Sequence, residues 1–431
     1  MSGPAPDDEL EVRPVHGPLD ATVRPPGSKS LTNRALVCAA LAEGTTELVG
    51  VLFADDTEAM LECLHSLGVG LRVDRGASVV TVQGCAGRPP SDGALLDARL
   101  SGTTSRFVMP VAALGSGTIV LDGAPPLRRR PMGDLVDALE GIGADVEPLG
   151  EPGHLPVRIE AQGLRGGRIR VRGDVSSQFL SAMLLSGPCT TQGLDIEVES
   201  TLVSVPYVDM TLAVMAAFGA AASHEGHRSL HVGAGGYRAP GTYVVEPDAS
   251  AASYFFAAAA ICGGSVTVEG LGSSSLQGDV AFVDVLERMG ADVRRGDDQI
   301  EVRGTGRLRG VEVDLADLSD TAQTLAVVAP FAEGPTTISG IGFIRHKETD
   351  RIAAVVTELR RCGIDAEELP DGLRVHPGDP QPALVQTYDD HRMAMSFALL
   401  GLAAHGIRIA DPGCVAKTFP GYWQALDAIR P

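Results

Sequence analysis

The feature that most constrains this chain is the five-fold recurrence of one short pattern. Leu67-Gly68-Val69, Ile142-Gly143-Ala144, Phe218-Gly219-Ala220, Met289-Gly290-Ala291 and Cys362-Gly363-Ile364 each place a glycine between two nonpolar residues, where a helix-like stretch gives way to a strand-like one. The glycines are 75, 76, 71 and 73 residues apart, a regularity that chance does not produce. A chain with such a period is built from copies of one supersecondary unit.

A second marker runs out of phase with the first. A polar cap, an apolar Ala-rich helix, a glycine and a short strand begin at Ser28-Lys29-Ser30, Ser101-Gly102-Thr103, Asp174-Val175-Ser176-Ser177, Asp248-Ala249-Ser250, Ser319-Asp320-Thr321 and Asp389-Asp390-His391. Six starts imply six α/β units of about 70 residues, too long for solenoid repeats. They pair more naturally into two globular halves of three units each. The seams expected are near Val23-Arg24 and Val245-Glu246-Pro247, giving one domain from residues 1–23 plus 247–431 and a second from 24–246. The last unit stops short at Pro431, so the segment before Arg24 is expected to complete it, behind a disordered tail over about residues 1–16.

Composition narrows the partners. With 431 residues and a net charge of -20, the chain repels nucleic acid and anionic membrane surfaces, so an anionic ligand needs a local basic cluster. Only Lys29, Lys347 and Lys417 among the 35 basic residues are lysines. The rest are arginines, which marks these three positions as places needing a compact ammonium. Seven cysteines without a CxxC pair fit free thiols in a reducing cytoplasm. The acidic, Pro-rich start is unlike a signal peptide, and no apolar run approaches the ~20 residues of a membrane span.

The chemistry lies where the units depart from a plain capped helix. Pro26-Gly27-Ser28-Lys29-Ser30 combines a turn, hydroxyls and a cation at a helix start, which suits an anion. Arg106, the triplet Arg128-Arg129-Arg130, Ser176-Ser177-Gln178, Ser204, Asp320, Lys347-Glu348-Thr349-Asp350-Arg351, Asp390-His391-Arg392 and Lys417 follow in order. Taken singly, each has a bland explanation: an Arg triplet is usually a solvated loop, and Asp350 can simply favour a helix dipole. Together they supply some eight cations and a few carboxylates, a pattern suited to small polyanions and proton transfer.

These motifs also resemble, in the same order, the series found in the 5-enolpyruvylshikimate-3-phosphate synthase family: Pro26-Gly27-Ser28-Lys29-Ser30, Gly102-Thr103 with Arg106, Ser176-Ser177-Gln178-Phe179-Leu180, Asp320-Thr321-Ala322-Gln323-Thr324, Lys347-Glu348-Thr349-Asp350-Arg351, Asp390-His391-Arg392-Met393-Ala394-Met395 and Lys417-Thr418-Phe419-Pro420. The resemblance implies an α/β enolpyruvyl-transferase fold, an inside-out α/β barrel of two domains, each with three βαβαββ units, and an active site in the cleft between them. It implies transfer of the enolpyruvyl group of phosphoenolpyruvate to the 5-hydroxyl of shikimate 3-phosphate, with release of phosphate. Lys29, Gly102, Arg130, Gln178, Arg351, Arg392 and Lys417 match positions that hold phosphoenolpyruvate. Lys29, Ser30, Arg34, Ser176, Ser177, Gln178, Ser204, Asp320 and Lys347 match contacts to shikimate 3-phosphate. The implied chemistry assigns Asp320 as the base for the hydroxyl, and Glu348 with Lys29 nearby as the acid for the methylene. A cytoplasmic monomer with no metal or other cofactor is expected. One position departs: Phe343 stands where the family commonly carries an asparagine, so either that contact is dispensable or the acceptor differs. The related transfer to UDP-N-acetylglucosamine is disfavoured, because Ala124-Pro125-Pro126-Leu127-Arg128-Arg129-Arg130 lacks its loop cysteine. A silent anion-binding protein on the same scaffold is disfavoured by the presence of Asp320 and Glu348.

Overall fold

The computed structural model describes residues 9–174 and 176–431. It divides into two compact units: the described residues up to Pro26 with Pro247–Pro431, and Gly27–Glu246. Each has its own apolar core.

The recurring glycines are helix stops. Gly68, Gly143, Gly219, Gly290 and Gly363 all adopt left-handed φ values, from +77° to +111°. The residue after each glycine returns its N–H to the carbonyl five residues earlier, as in Val69 to Leu64, Ala144 to Leu139, Ala220 to Met215, Ala291 to Leu286 and Ile364 to Leu359, each at 3.0 Å. This is the Schellman closure, in which the apolar residue after the glycine packs back on the last turn; it explains why the triplet recurs as nonpolar-Gly-nonpolar.

The polar starts open six helices: Lys29–Leu41, Gly102–Ala113, Ser177–Ser186, Ala249–Cys262, Ala322–Val328 and His391–Ala403. Ser28, Ser101, Ser176, Asp248 and Asp390 accept a backbone N–H through their side chains. The fifth differs from the expected capped start: it begins with a 3-10 turn, Ser319–Thr321, and no side chain caps it. Asp320 is directed into ion pairs instead. Along most of their length these helices are buried on every side, and the three in each unit pack against one another. Their apolar residues therefore need no amphipathic stripe.

Small sheets surround the helices, and the five four-stranded ones repeat one arrangement: a strand runs parallel to its neighbour, which pairs antiparallel with a hairpin. In the second unit of Gly27–Glu246, Gly93–Asp97 lies parallel to Ser116–Asp122, which pairs antiparallel with Val157–Gln162, itself antiparallel to Asp145–Pro148. Strand burial alternates, as in Leu194–Val198, so one face meets the helices and the other faces outward. Two units are closed by distant chain. Thr242–Val244 joins the sheet of Thr45–Val49, and Leu19–Val23 joins that of Gly264–Glu269.

The N-terminal tail is shorter than expected. Glu9–Glu11 pairs antiparallel with Ile407–Ala410 and completes the last unit's sheet, and Val12 is buried with its N–H on Ile407 O at 3.0 Å. Residues 1–8 lie outside the described residues. The division near Val23 falls at Pro26, because Asp248 donates its N–H to Pro26 O at 2.8 Å and ties that segment to the later part of the chain. Gly27 is needed at this turn, since a Cβ there would lie 1.9 Å from Gly50 O. Among the described residues no helix is long and apolar enough to cross a membrane.

Candidate active site

In Gly27–Glu246 the polar groups collect at the starts of three helices. Lys29, on the first turn of its helix, pairs with the buried Asp56 at 3.1 Å. Arg34, one turn further on and 1% exposed, donates to Thr211 Oγ1 at 2.7 Å, Ser30 O at 3.0 Å, Tyr207 O at 3.2 Å and Ser181 Oγ at 3.3 Å. Its guanidinium also lies 5.2 Å from the Phe107 ring centre. Burial pulls this guanidinium down to about 10, because its partners are neutral dipoles and no carboxylate offsets the lost hydration. Arg34 thus binds the floor of the cluster: it ties the backbone at Ser30 to the helix Val205–Ala217.

Gln178 is fixed from both sides. Its Oε1 accepts Arg106 Nη1 at 2.6 Å, and its Nε2 donates to Thr103 Oγ1 at 3.2 Å. Arg106 is itself sandwiched against Phe179, 4.9 Å from the ring centre. The arginine triplet separates by role. Arg128 forms a bidentate pair with Asp122, whereas Arg130 lies over Gly102, so close that a Cβ there would be 2.6 Å from its Nη1. The absence of a side chain at Gly102 is therefore what seats Arg130. Ser176 and Ser177 open their helix, and Ser204 precedes the next in a left-handed conformation with φ +56°; all three are largely buried.

In the other unit the cluster is a lattice of charges. Arg351, 2% exposed, bridges three carboxylates: Asp390 through Nε at 2.7 Å, Glu348 through Nη2 at 2.8 Å and Asp320 through Nη1 at 3.4 Å. Arg392 binds the other oxygen of Asp320 at 2.6 Å, and Lys417 binds the other oxygen of Glu348 at 3.2 Å. Burial lowers the proton affinity of Arg351, but Asp390, Glu348 and Asp320 outweigh it and hold the guanidinium above its ordinary value. Local sequence explains the placement. Asp350 caps the helix Arg351–Arg361 by accepting from Ile352 and Ala353, and Asp390 caps the helix His391–Ala403. Each cap puts an arginine on the first turn, facing the cluster. Lys347 follows the turn Gly342–His346 with its ammonium 5.8 Å from the ring centre of Phe343, so the residue that departs from the family pattern makes a cation–π contact to a neighbouring candidate site residue.

The structure thus brings Asp320, Glu348, Arg351, Arg392 and Lys417 into one network, and Gly102, Arg130 and Gln178 join neighbouring turns of the other unit. Three groups had not been assigned a role: Asp56, Asp390 and Asp279. Asp279 sits in the turn Gly278–Ala281, buried, accepting from Ser250 Oγ. Burial above all, and then the charge of Asp320, push its carboxyl up to about 7, against the opposing pull of Ser250 and Arg392. No spacing or motif in a single sequence distinguishes this aspartate from a surface one.

Clustered cations with paired carboxylates at helix starts are suited to small anions. A model of the EPSP synthase (3-phosphoshikimate 1-carboxyvinyltransferase) family matches residues 15–426, and the chain belongs to that family. It is 48% identical over 416 residues to the 3-phosphoshikimate 1-carboxyvinyltransferase of Nostoc punctiforme, covering 96% of this chain and 98% of that protein. The enzyme of the same description from Cupriavidus taiwanensis is 49% identical over 428 residues, with 96% and 98% covered. The solved EPSP synthase of Acinetobacter baumannii superposes with a TM-score of 0.83 at 26% identity, covering 98% of both chains.

Proposed function

We infer that this enzyme transfers the carboxyvinyl group of phosphoenolpyruvate to the 5-hydroxyl of shikimate 3-phosphate and releases phosphate, a step toward aromatic amino acids. The observation that carries this is Asp320 and Glu348 bound to one arginine, Arg351, with Arg392 and Lys417 on their outer oxygens. One carboxylate is thereby available to take the hydroxyl proton and the other to deliver a proton to the methylene.

Lys29, Gly102, Arg130, Gln178, Arg351, Arg392 and Lys417 are assigned to phosphoenolpyruvate. Ser30, Ser176, Ser177, Gln178, Ser204 and Lys347, with Lys29 and Asp320, are assigned to shikimate 3-phosphate, and Arg34 supports them from beneath. As arranged, Glu348 is paired as a carboxylate with Lys417 and Arg351. Its donor role therefore requires the substrate's own anionic groups to compete for those cations, which couples binding to protonation. The attack of the 5-hydroxyl on C2 gives a tetrahedral adduct. Loss of phosphate with removal of a methyl proton regenerates the double bond, with the arginines and lysines neutralising the leaving anion. Seven free thiols support a reducing cytoplasm as the place of action, and a monomer is the proposed working form.

Phosphate release on mixing the protein with phosphoenolpyruvate and shikimate 3-phosphate tests the reading. Release is expected in proportion to both substrates, and Asp320→Ala should bind both while turnover falls about 10²- to 10⁴-fold. Release only with another hydroxylated ring would overturn the acceptor, and no release with any would overturn the reaction.

A further inference from the structure

Among residues of the Gly27–Glu246 unit given no role in the candidate site, two histidines and a carboxylate converge. His224 is the penultimate residue of the strand Ala222–Glu225, His227 occupies the turn into Ser229–Val232, and Asp209 lies in the second turn of the helix Val205–Ala217. One ligand atom of each lies within 4.8 Å of the other two. His227 Nε2 is 2.6 Å from Asp209 Oδ1, and the two imidazole rings stack with centres 3.9 Å apart. The turn is closed by Arg228 N–H on Glu225 O at 3.0 Å, with Gly226 and His227 both at positive φ, +55° and +59°. Such a turn is usually made by Asn-Gly or Gly-Gly; here its second central position is a histidine, which the left-handed conformation aims at Asp209.

We propose that Asp209, His224 and His227 form a binding site for a divalent transition-metal ion of the zinc type, joining the helix Val205–Ala217 to the hairpin 222–232. Two imidazoles and one carboxylate are a ligand set that Zn²⁺ accepts, with a remaining position for water. Around one ion, with bonds of roughly 2.0–2.2 Å, ligand atoms lie about 3.3 Å apart. The ligand atoms here lie within 4.8 Å of one another, so closing on an ion means unstacking the two imidazoles and releasing His224 Nδ1 from the His227 N–H, which it accepts at 3.3 Å. Helix Val205–Ala217 also holds Thr211 and the Tyr207 carbonyl, the partners of Arg34. The ion would therefore stiffen the helix that follows Ser204 and holds Arg34.

Calorimetric titration of the chelator-treated whole protein with ZnCl₂ at about pH 7.5 tests this. Expected is one ion per chain, with affinity reduced about 10- to 100-fold or more in His224→Ala and in Asp209→Asn. His231→Ala is the control: His231 lies on the same hairpin and pairs with Asp195 at 2.8 Å, a set with only two ligands. Co²⁺ in place of Zn²⁺ should show no sulfur charge-transfer band, which separates this site from the seven thiols. The turnover of His224→Ala, expected to equal the parent's, shows that it folds. Zn²⁺ binding as tight in His224→Ala as in the parent, or lost equally in His231→Ala, would overturn the proposal.

Discussion

The two polar clusters treat their buried arginines in opposite ways, although Lys29 in the first is paired with a carboxylate, Asp56. In Gly27–Glu246, Arg34 and Arg106 are answered mainly by hydroxyls, carbonyls, an amide oxygen and aromatic faces. In the other unit, Arg351 alone meets three carboxylates. The proton affinities follow: burial draws Arg34 down to about 10, while Arg351 is held above its ordinary value. A cation set among neutral dipoles keeps its field available for an incoming anion. A cation set among carboxylates has already spent its field, and it yields only to a ligand that displaces one of them. Under the proposed function, the first cluster is suited to recruit an anion, and the second to turn anion binding into a change of partners on Asp320 and Glu348.

Substituting the two arginines separates these cases most strongly. Arg351→Met leaves Asp390, which is fully buried, without its two-point partner and should cost about 3–5 kcal/mol of stability in urea unfolding. Arg34→Met leaves only neutral acceptors unpaired and should cost about 1–3 kcal/mol. Equal losses would remove the contrast.

Asp279 gives the next largest effect, and its sign is set by linkage. The folded protein holds that proton up to about 7, whereas an unfolded aspartate releases it near about 3.9. Between those values the folded state binds more protons, so stability is greatest at the acid end and falls as pH rises. From pH 5 to pH 8 the parent should lose about 2–3 kcal/mol relative to Asp279→Asn. Melting temperatures of both proteins across that range measure it, and parallel curves would show that Asp279 titrates as an exposed carboxyl does.

Gly102→Ala probes the recruiting cluster more gently. The new methyl would meet Nη1 of Arg130 at 2.6 Å and Cζ at 2.9 Å, atoms at the end of a flexible side chain, so Arg130 swings aside and the fold survives. The expected result is an unchanged melting temperature and a KM for phosphoenolpyruvate raised about tenfold, roughly 1.4 kcal/mol, with the KM for shikimate 3-phosphate little altered. A loss in both would mean that the helix start itself had moved.

The architecture was readable because its signals are local. A Schellman stop needs glycine and an apolar partner next to each other, so Leu67-Gly68-Val69 and its four counterparts announce five helix ends without any knowledge of the fold. The polar starts are nearly as direct, and only Ser319-Asp320-Thr321 misleads, because Asp320 gives up capping for Arg351 and Arg392. The truncated last unit already called for the segment before Arg24, and Glu9–Glu11 does complete its sheet against Ile407–Ala410; what could not be read was the strand itself, placed in the tail because three residues carry too little pattern. Among the site residues, those in dense motifs such as Lys347 to Arg351 were visible as candidates. Asp56 and Asp279 lie in ordinary helical and turn sequence, and what makes them chemical is burial beside a charge that arrives from elsewhere. The triplet Arg128-Arg129-Arg130 shows the same limit: identical residues take different roles according to whether Asp122 or Gly102 lies opposite.

The smallest effect concerns Phe343, and it bears on the acceptor. Its ring supports the Lys347 ammonium at 5.8 Å, a contact worth about 0.5–1 kcal/mol at a partly exposed site. Phe343→Asn removes that support but supplies a side-chain amide that can hydrogen-bond a ring hydroxyl. If the pocket takes shikimate 3-phosphate in the manner common to the family, the two changes oppose each other, and the KM for shikimate 3-phosphate should shift by no more than about fivefold, either way. A rise beyond tenfold, with the KM for phosphoenolpyruvate unchanged, would show instead that the aromatic face itself contacts the acceptor. That result would break the view of Phe343 as a prop for Lys347, and would add an aromatic contact to Asp320 and Lys347, the acceptor residues proposed in that unit.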